Sequence, residues 1–124
     1  MKLLSSVCLC LAVLSAVSAE APQWRWHEKT AQPHTTRFFR IPFELKEKAK
    51  SAPVTFGLDD IGSIYVNGRR IAANIHMPPK TWHIENYLKP GKNVIAVQVL
   101  NHIGIAGLII SGDILLESGN VQKL

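Results

Sequence analysis

The side chains best suited to chemistry are histidines and carboxylates, and the spacing of the histidines predicts no zinc centre. The five histidines are His27, His34, His76, His83 and His102. No two of them stand four residues apart, as they do in the His-x-x-x-His and His-Glu-x-x-His patterns that place two ligands on one helix face. A zinc site of this kind is therefore not expected.

The only two acids that are adjacent in the chain are Asp59 and Asp60. A glycosidase needs two carboxylates about 5–10 Å apart on either side of the scissile bond, whereas neighbours on a strand point to opposite faces. No Gly-x-Ser-x-Gly elbow is present either, so the sequence predicts a protein without enzymatic activity. Two interpretations of the acidic pair stay open. The carboxylates accept backbone N–H groups in a turn, or they supply oxygens to calcium or to sugar hydroxyls.

Binding of a sugar fits the residue types better, because a pyranose has one apolar face and a rim of hydroxyls. Sites for such ligands combine an apolar or aromatic wall with a few placed polar groups. The aromatic candidates are Trp24, Trp26, Tyr65 and Trp82. Trp24 and Trp26 share parity and are expected to face the same way, either into the core or outward as a stacking surface. The predicted ligand-binding residues are Asp59, Asp60, Tyr65, Arg69, Asn74, His76, Trp82, His83, Asn101 and His102, with Asp59 and Asp60 also the calcium candidates; no cofactor is required.

These residues must be positioned by strands, because apolar and polar residues alternate along much of the chain. Alternation from Phe39 to Leu45 and from Val54 to Leu58 is the period of a half-buried strand. Pro42 places the first of these strands at a sheet edge or at a bulge. The run from Asn93 to Leu100 is apolar at most positions, which predicts a central strand buried on both faces.

Turn signals separate the predicted strands at short intervals. Asn67-Gly68 predicts a type I′ hairpin, because both residues accept positive φ. Lys89-Pro90-Gly91-Lys92 predicts a second turn, and Trp82 to Leu88 a further extended segment. The last strand is expected from Leu108 to Leu116, followed by a frayed tail from Val121 to Leu124. This pattern predicts one all-β domain with a β-sandwich architecture.

The first residues have the features of a cleavable signal peptide. Lys2 is followed by an apolar stretch that ends at Val17, and Val17-Ser18-Ala19 places small residues at the cleavage site. The stretch is shorter than the roughly 20 residues that span a bilayer. We therefore expect residues 1–19 to be removed and residues 20–124 to be a secreted, extracellular domain without a transmembrane segment.

The predicted export and the composition limit the kinds of molecule that this protein is expected to bind. Both cysteines, Cys8 and Cys10, lie in the predicted signal peptide, so the exported domain is expected to have no disulfide. Loss of Lys2 lowers the formal net charge from +5 to +4. This mild basic excess favours anionic glycans or membrane surfaces. No nucleic-acid motif is present, and no nucleic-acid partner is expected.

Several segments resemble one known family in their order along the chain. They are Asp59-Asp60, Ile64 to Gly68, Trp82, Tyr87 to Val97 and Gly107 to Ile109, preceded by Trp24 to Trp26 and Arg37 to Phe43. Together they span about Gln23 to Glu117 and resemble the galactose-binding-like jelly-roll domain, an accessory domain of α-L-rhamnosidases and related glycoside hydrolases. The resemblance implies a jelly-roll β-sandwich with an inward-facing Trp82. Some members of the family bind sugar and others only pack.

Three hypotheses for function follow. The leading one is a secreted, non-enzymatic, lectin-like module that binds glycans or glycoconjugates through loops around Asp59-Asp60, Asn74 to Trp82 and Asn101-His102. The second is a structural or adhesive module that contacts extracellular proteins through the apolar loop from Ile103 to Gly107 and the basic run from Lys46 to Lys50. The third is an accessory domain detached from a glycoside hydrolase.

Overall fold

The computed structural model describes residues 24–26 and 31–124, which form two antiparallel sheets. The predicted signal peptide (residues 1–19) and His27 lie outside the described residues. No helix in the described part of the chain is long and apolar enough to cross a membrane. The strands in this part are β1 (Thr35–Leu45), β2 (Ala49–Ser51), β3 (Pro53–Asp59), β4 (Ile61–Val66), β5 (Arg69–Ile75), β6 (Lys80–His83), β7 (Gly91–Asn101), β8 (Gly107–Leu116) and β9 (Val121–Lys123), with one 3-10 turn at Glu85–Tyr87.

The two sheets form an all-β jelly-roll sandwich, as the sequence predicts. One sheet has the strand order β1-β7-β4-β5, and the other has the order β2-β8-β3-β6 with β9 also paired to β8. β1 is an edge strand, and its Pro42 lies opposite Val94 of the central strand β7. The edge position suits proline, which has no N–H to donate to a further strand.

The core lies between the sheets and consists of the inward-facing positions of the alternating strands. Its largest fully buried side chains are Leu45, Val54, Phe56, Leu58, Ile64, Val66, Ile84, Ile95, Val97, Val99, Leu108 and Ile114. Trp82 lies opposite Val54 across β3 and β6, and its ring meets Phe56 edge-on with centroids 5.9 Å apart. The inward orientation implied for Trp82 is therefore what the structure shows.

Three sequence predictions differ from the structure. β7 buries Ile95, Val97 and Val99, but its other face is only half-buried, because no described segment forms a layer over that side of the sheet. The predicted tail is strand β9, since the chain turns at Gly119 (φ 91°) and returns along β8. The segment from Trp82 to Leu88 is extended only to His83 and then forms the 3-10 turn.

A pair of asparagines, the half-buried Asn67 and the buried Asn93, joins two turns at one end of the sandwich. Asn67, with φ 49°, is in the hairpin turn, and its Nδ2 donates to Oδ1 of Asn93 (2.9 Å) and to the carbonyl of Tyr87 (2.8 Å). Asn93 in turn bonds both backbone groups of Lys89 and the carbonyl of Gly91. The Asn-Gly and Pro-Gly-x-Asn motifs thus form one polar network.

The strand directions separate the connections into two opposite ends. We call the end that carries Asp60 and residues 102–106 the loop end, and the end that carries Asn67-Gly68 and residues 88–91 the turn end. β4 and β7 run between these ends in opposite directions, with Ile61 opposite Leu100 and Val66 opposite Ile95.

Candidate functional site at the loop end

Asp60 holds the connection between β7 and β8. Its Oδ2 accepts hydrogen bonds from the backbone N–H of His102 (2.6 Å) and of Ile103 (3.2 Å). Its own N–H donates to the carbonyl of Leu100 (3.2 Å). Burial raises the pKa of Asp60, but the N–H groups of His102 and Ile103 outweigh burial and hold that pKa below its usual value. Oδ2 of Asp60 therefore accepts backbone N–H groups, as in the first of the two interpretations of the acidic pair.

Asp59 lies next to this carboxylate, at the end of β3 and opposite Gly107 of β8. Phe56 and Leu58 point into the core, so the alternation of the strand directs Asp59 to the outer face of the sheet. Burial raises the pKa of Asp59, and the hydrogen bond and negative charge of Asp60 raise it further. Asp59 is therefore the member of the pair that takes up a proton first when the pH falls.

The indole of Trp24 covers Gly107, directly opposite Asp59. A Cβ on Gly107 would lie 2.6 Å from Cε3 of Trp24 and 3.3 Å from its Cζ3, so the ring rests on the glycine backbone. The segment is held there by reciprocal backbone hydrogen bonds between Arg25 and Leu108, of 2.8 and 2.9 Å. Half of the Trp24 surface (50%) remains exposed. An exposed aromatic surface and a carboxylate thus lie side by side on one face.

The loop beside this pair is apolar and exposed. Ile103 and Ile105 are 75% and 83% exposed, and His102 is also at the surface. Asn101 differs, because it is fully buried and donates from Nδ2 to the carbonyl of Gln32 (2.9 Å). Asn101 shapes the loop end from inside and presents no side chain to a ligand.

The structure brings only part of the predicted ligand set to the loop end. Asp59, Asp60, Asn101 and His102 lie there, as expected. Asn74 and His76 lie at the same end of the neighbouring strand, because Ile75 pairs with Gly62. His76 is exposed, with Nδ1 2.8 Å from the carbonyl of Met77.

The other four predicted residues lie elsewhere, which corrects the idea of one continuous site. Tyr65 is on the outer face of the four-stranded sheet, opposite Ala96, and Trp82 is packed against the core. Arg69 is at the turn end, where its guanidinium lies 5.1 Å from the centre of the Tyr87 ring. His83 is also at that end, 3.8 Å from Glu85. Spacing along the chain could not assign these residues to one end or the other, because each strand of a hairpin runs from one end of the sandwich to the opposite end.

The two tryptophans also behave differently from each other. Trp24 is half-exposed on Gly107, whereas Trp26 packs against the core, with its ring 5.9 Å from that of Phe39. The prediction that both tryptophans face the same way assumed a regular strand. In this segment Arg25 alone makes a strand-like bridge, and a single bridge does not impose the alternation of a strand. The contact of Trp24 with Gly107 has no signal in sequence spacing, since the two residues are far apart in the chain.

The described residues do not form a metal centre of the usual kind. No group of three or more His, Cys, Asp or Glu side chains converges on one point within residues 24–26 and 31–124. Calcium takes 6–8 oxygens, and one oxygen of Asp60 already bonds two backbone N–H groups. A calcium role for Asp59 and Asp60 stays a prediction.

No protein-family model matches the chain, and no curated protein sequence matches it. Solved structures share its fold. A Streptomyces avermitilis α-L-rhamnosidase complexed with L-rhamnose is similar with a TM-score of 0.70 and 23% identity, over 82% of this chain and 11% of that one. A Pleurotus ostreatus lectin in complex with GalNAc is similar with a TM-score of 0.68 and 22% identity, over 84% of this chain and 33% of that one.

A third similar structure is an Aspergillus terreus α-L-rhamnosidase, with a TM-score of 0.63 and 17% identity, over 77% of this chain and 15% of that one. The chain therefore spans a third or less of the length of each of these three proteins. The likenesses establish the fold as the galactose-binding-like β-sandwich that the motif residues resemble.

Proposed function

We propose that this protein is a secreted, non-enzymatic carbohydrate-binding module whose site lies at the loop end. The observation that carries the proposal is the position of Trp24 over Gly107, directly opposite Asp59. An exposed indole stacks on the apolar face of a sugar ring, and a neighbouring carboxylate accepts hydrogen bonds from its hydroxyls. The fold is shared with a lectin whose structure contains GalNAc and with a rhamnosidase whose structure contains L-rhamnose.

The loop anchored by Asp60 supplies the rest of the site. Because the backbone of His102 and Ile103 is tied to a carboxylate, the loop is held in place before a ligand arrives. A site that is already ordered loses less conformational entropy on binding. The imidazole of His102 then lies at the rim as a hydrogen-bonding group for a sugar.

The proposal is tested by titrating GalNAc, galactose and L-rhamnose into the protein, with and without calcium, by isothermal calorimetry. Trp24→Ala should weaken binding about tenfold or more, as expected when a central aromatic contact is lost. Phe38→Ala is the matched control, because Phe38 is an aromatic residue with 74% exposure on the other sheet. Gly107→Ala should reproduce the loss, since its Cβ displaces the indole.

Two results would refute the proposal. One is the absence of binding to any sugar on a broad glycan array, with and without calcium. The other is equal affinity of the wild type and Trp24→Ala for the sugar that does bind. Turnover of an aryl-rhamnoside or aryl-galactoside that disappears in Asp60→Ala would contradict the non-enzymatic assignment and favour a hydrolase-derived domain.

Secretion rests on the sequence of residues 1–19 and has its own test. When the full chain is expressed in a secreting host, the mature protein in the medium should begin at Glu20. Intact mass and N-terminal sequencing measure this directly. Retention of the protein in the cell with residues 1–19 still attached would overturn this part of the proposal.

A second candidate function is protein contact through the apolar loop, favoured by the exposure of Ile103 and Ile105. Exposed apolar side chains that are adjacent often mark a contact surface. The double variant Ile103→Ser and Ile105→Ser should then abolish self-association or capture of a partner, as measured by analytical ultracentrifugation. Unchanged association would remove this candidate.

A further inference from the structure

A second surface, at the turn end, has the composition of an anion-binding site. A cavity of about 420 Å³ opens on the outer face of the four-stranded sheet. β1 contributes Arg40 and Pro42, and β7 contributes Lys92 and Val94. The turn that precedes β7 contributes Lys89. None of these five residues belongs to the ligand set predicted from the sequence.

The charge of this cavity has one sign. Arg40, Lys89 and Lys92 line it, and no acidic residue does. None of the three cations forms an ion pair with a carboxylate of the described residues. Glu44 lies opposite Lys92 in the strand register, but it lines a different cavity and makes no ion pair with Lys92. The lining of the cavity therefore carries a positive charge, and the carboxylate of Glu44 lies outside that lining.

The backbone around the cavity is held by hydrogen bonds rather than by the cations themselves. The side chain of Asn93 bonds the N–H and the carbonyl of Lys89, at 3.0 and 2.7 Å. Nδ2 of Asn67 links the hairpin turn to Asn93, and Oδ1 of Asn67 accepts from the N–H of Val94 (2.9 Å). The backbone positions of the three cationic residues are therefore set by this network and by the β1–β7 ladder.

We infer that this cavity binds the sulfate or carboxylate groups of an acidic polysaccharide. The three cations, which form no ion pair with a carboxylate of the described residues, match such anions, and Pro42 and Val94 offer an apolar surface to the sugar ring between the charged groups. The same sheet face continues beyond the cavity to Tyr65 and Arg70, which pair across β4 and β5. An extended chain of acidic sugars would therefore meet an aromatic ring and a further cation.

An anionic membrane is a poorer fit to the same charges. The surface is concave, and its apolar lining residues, Pro42 and Val94, are small. Phe38 of β1 is exposed on the same sheet face but does not line the cavity. Membrane-surface binding uses large apolar side chains that enter the headgroup region. This inference is independent of the proposed sugar site at the loop end, because no residue is shared.

The experiment compares dextran sulfate and polygalacturonate with neutral dextran, using calorimetry on the intact protein. The triple variant Arg40→Gln, Lys89→Gln and Lys92→Gln should bind the acidic polymers about eightfold more weakly, a factor of about two for each exposed charge contact. The matched control, Lys50→Gln, Lys80→Gln and Lys123→Gln, removes the same charge from exposed sites outside the cavity. It should change the affinity less than twofold.

Several results would overturn the inference. Equal losses in the two triple variants would show that only net charge matters. Competition by inorganic sulfate as strong as that by dextran sulfate, at equal sulfate concentration, would show that the cavity binds a free anion. Binding to phosphatidylserine vesicles but not to dextran sulfate would show that the partner is a membrane. Trp24→Ala should leave binding of the acidic polymers unchanged, so failure of the loop-end proposal is distinguishable from failure of this one.

Discussion

Replacement of Asn93 by alanine tests whether the turn-end network stabilises the fold. The Asn93 side chain is buried and makes four hydrogen bonds. Its Oδ1 accepts from Asn67 Nδ2 and Lys89 N, and its Nδ2 donates to the carbonyls of Lys89 and Gly91. At about 1 kcal/mol net for each bond the loss would approach 4 kcal/mol. Water reaches some of the released groups at this exposed turn, so we expect about 3 kcal/mol.

The assay is equilibrium unfolding in urea, with thermal melting as a second probe. A loss of about 3 kcal/mol corresponds to a fall in Tm of about 12 °C for a domain of this size, at roughly 4 °C per kcal/mol. Asn93→Asp keeps the Oδ1 acceptor but directs its second carboxylate oxygen at the carbonyls of Lys89 and Gly91, so at pH 7 it should be no more stable than Asn93→Ala. Asn120→Ala is the matched control, because Asn120 is exposed and its side chain makes no hydrogen bond to the described residues.

A stability of Asn93→Ala within about 0.5 kcal/mol of the wild type, the range of ordinary surface changes, would show that the network does not stabilise the fold. Equal losses of stability in Asn93→Ala and Asn120→Ala would show the same. Sugar affinity at the loop end should not change in the folded variant, because that site lies at the opposite end of the strands.

Three further predictions concern the loop end. Asp60→Ala should release the amides of His102 and Ile103, so hydrogen exchange at these two amides should accelerate at least about tenfold. Unchanged protection of the two amides would contradict the anchoring role of Asp60. Asp59→Asn should raise Tm at pH 7 by about 2 °C at most, because the pKa of Asp59 is raised on folding and its charge therefore destabilises the native state above that pKa, although solvent screens this exposed charge. The gain should vanish as the pH falls through the folded pKa, which lies above 3.8, and a gain that persists at lower pH would contradict this assignment. Gly62→Ala should lose about 3 kcal/mol or fail to fold, because its Cβ would overlap the carbonyl oxygen of Gln98, and denaturant unfolding with wild-type stability would refute that overlap.

Most of the fold was predictable because its signals are local. Alternation from Val54 to Leu58 and the Asn67-Gly68 turn each depend on a few consecutive residues, and the structure confirms both. The strand at Val121–Lys123 was not predictable, since its stability comes from pairing with β8 rather than from its own residues. Nor was the half-exposed outer face of β7, because apolar composition does not reveal whether another layer covers a sheet.

The sequence predicted the residue types of the candidate site, but it predicted only some of the residues that lie there. Asp59, Asp60 and His102 converge as expected, but Arg69 and His83 lie at the opposite end of the sandwich. Residues near each other in a hairpin sequence are assigned to one end or the other by strand length and direction. That information appears only when the strands pair.

Asp59 and Asp60 show which properties the sequence determines and which properties the tertiary structure determines. The sequence by itself determined that two carboxylates follow a buried strand, and that a turn, a metal and a sugar were all chemically open to them. Tertiary structure decided that Asp60 anchors a loop 42 residues later in the chain, while Asp59 faces outward beside Trp24. The physical reason is that residue type sets which bonds a side chain is able to make, whereas its partners are brought within reach only by long-range strand pairing.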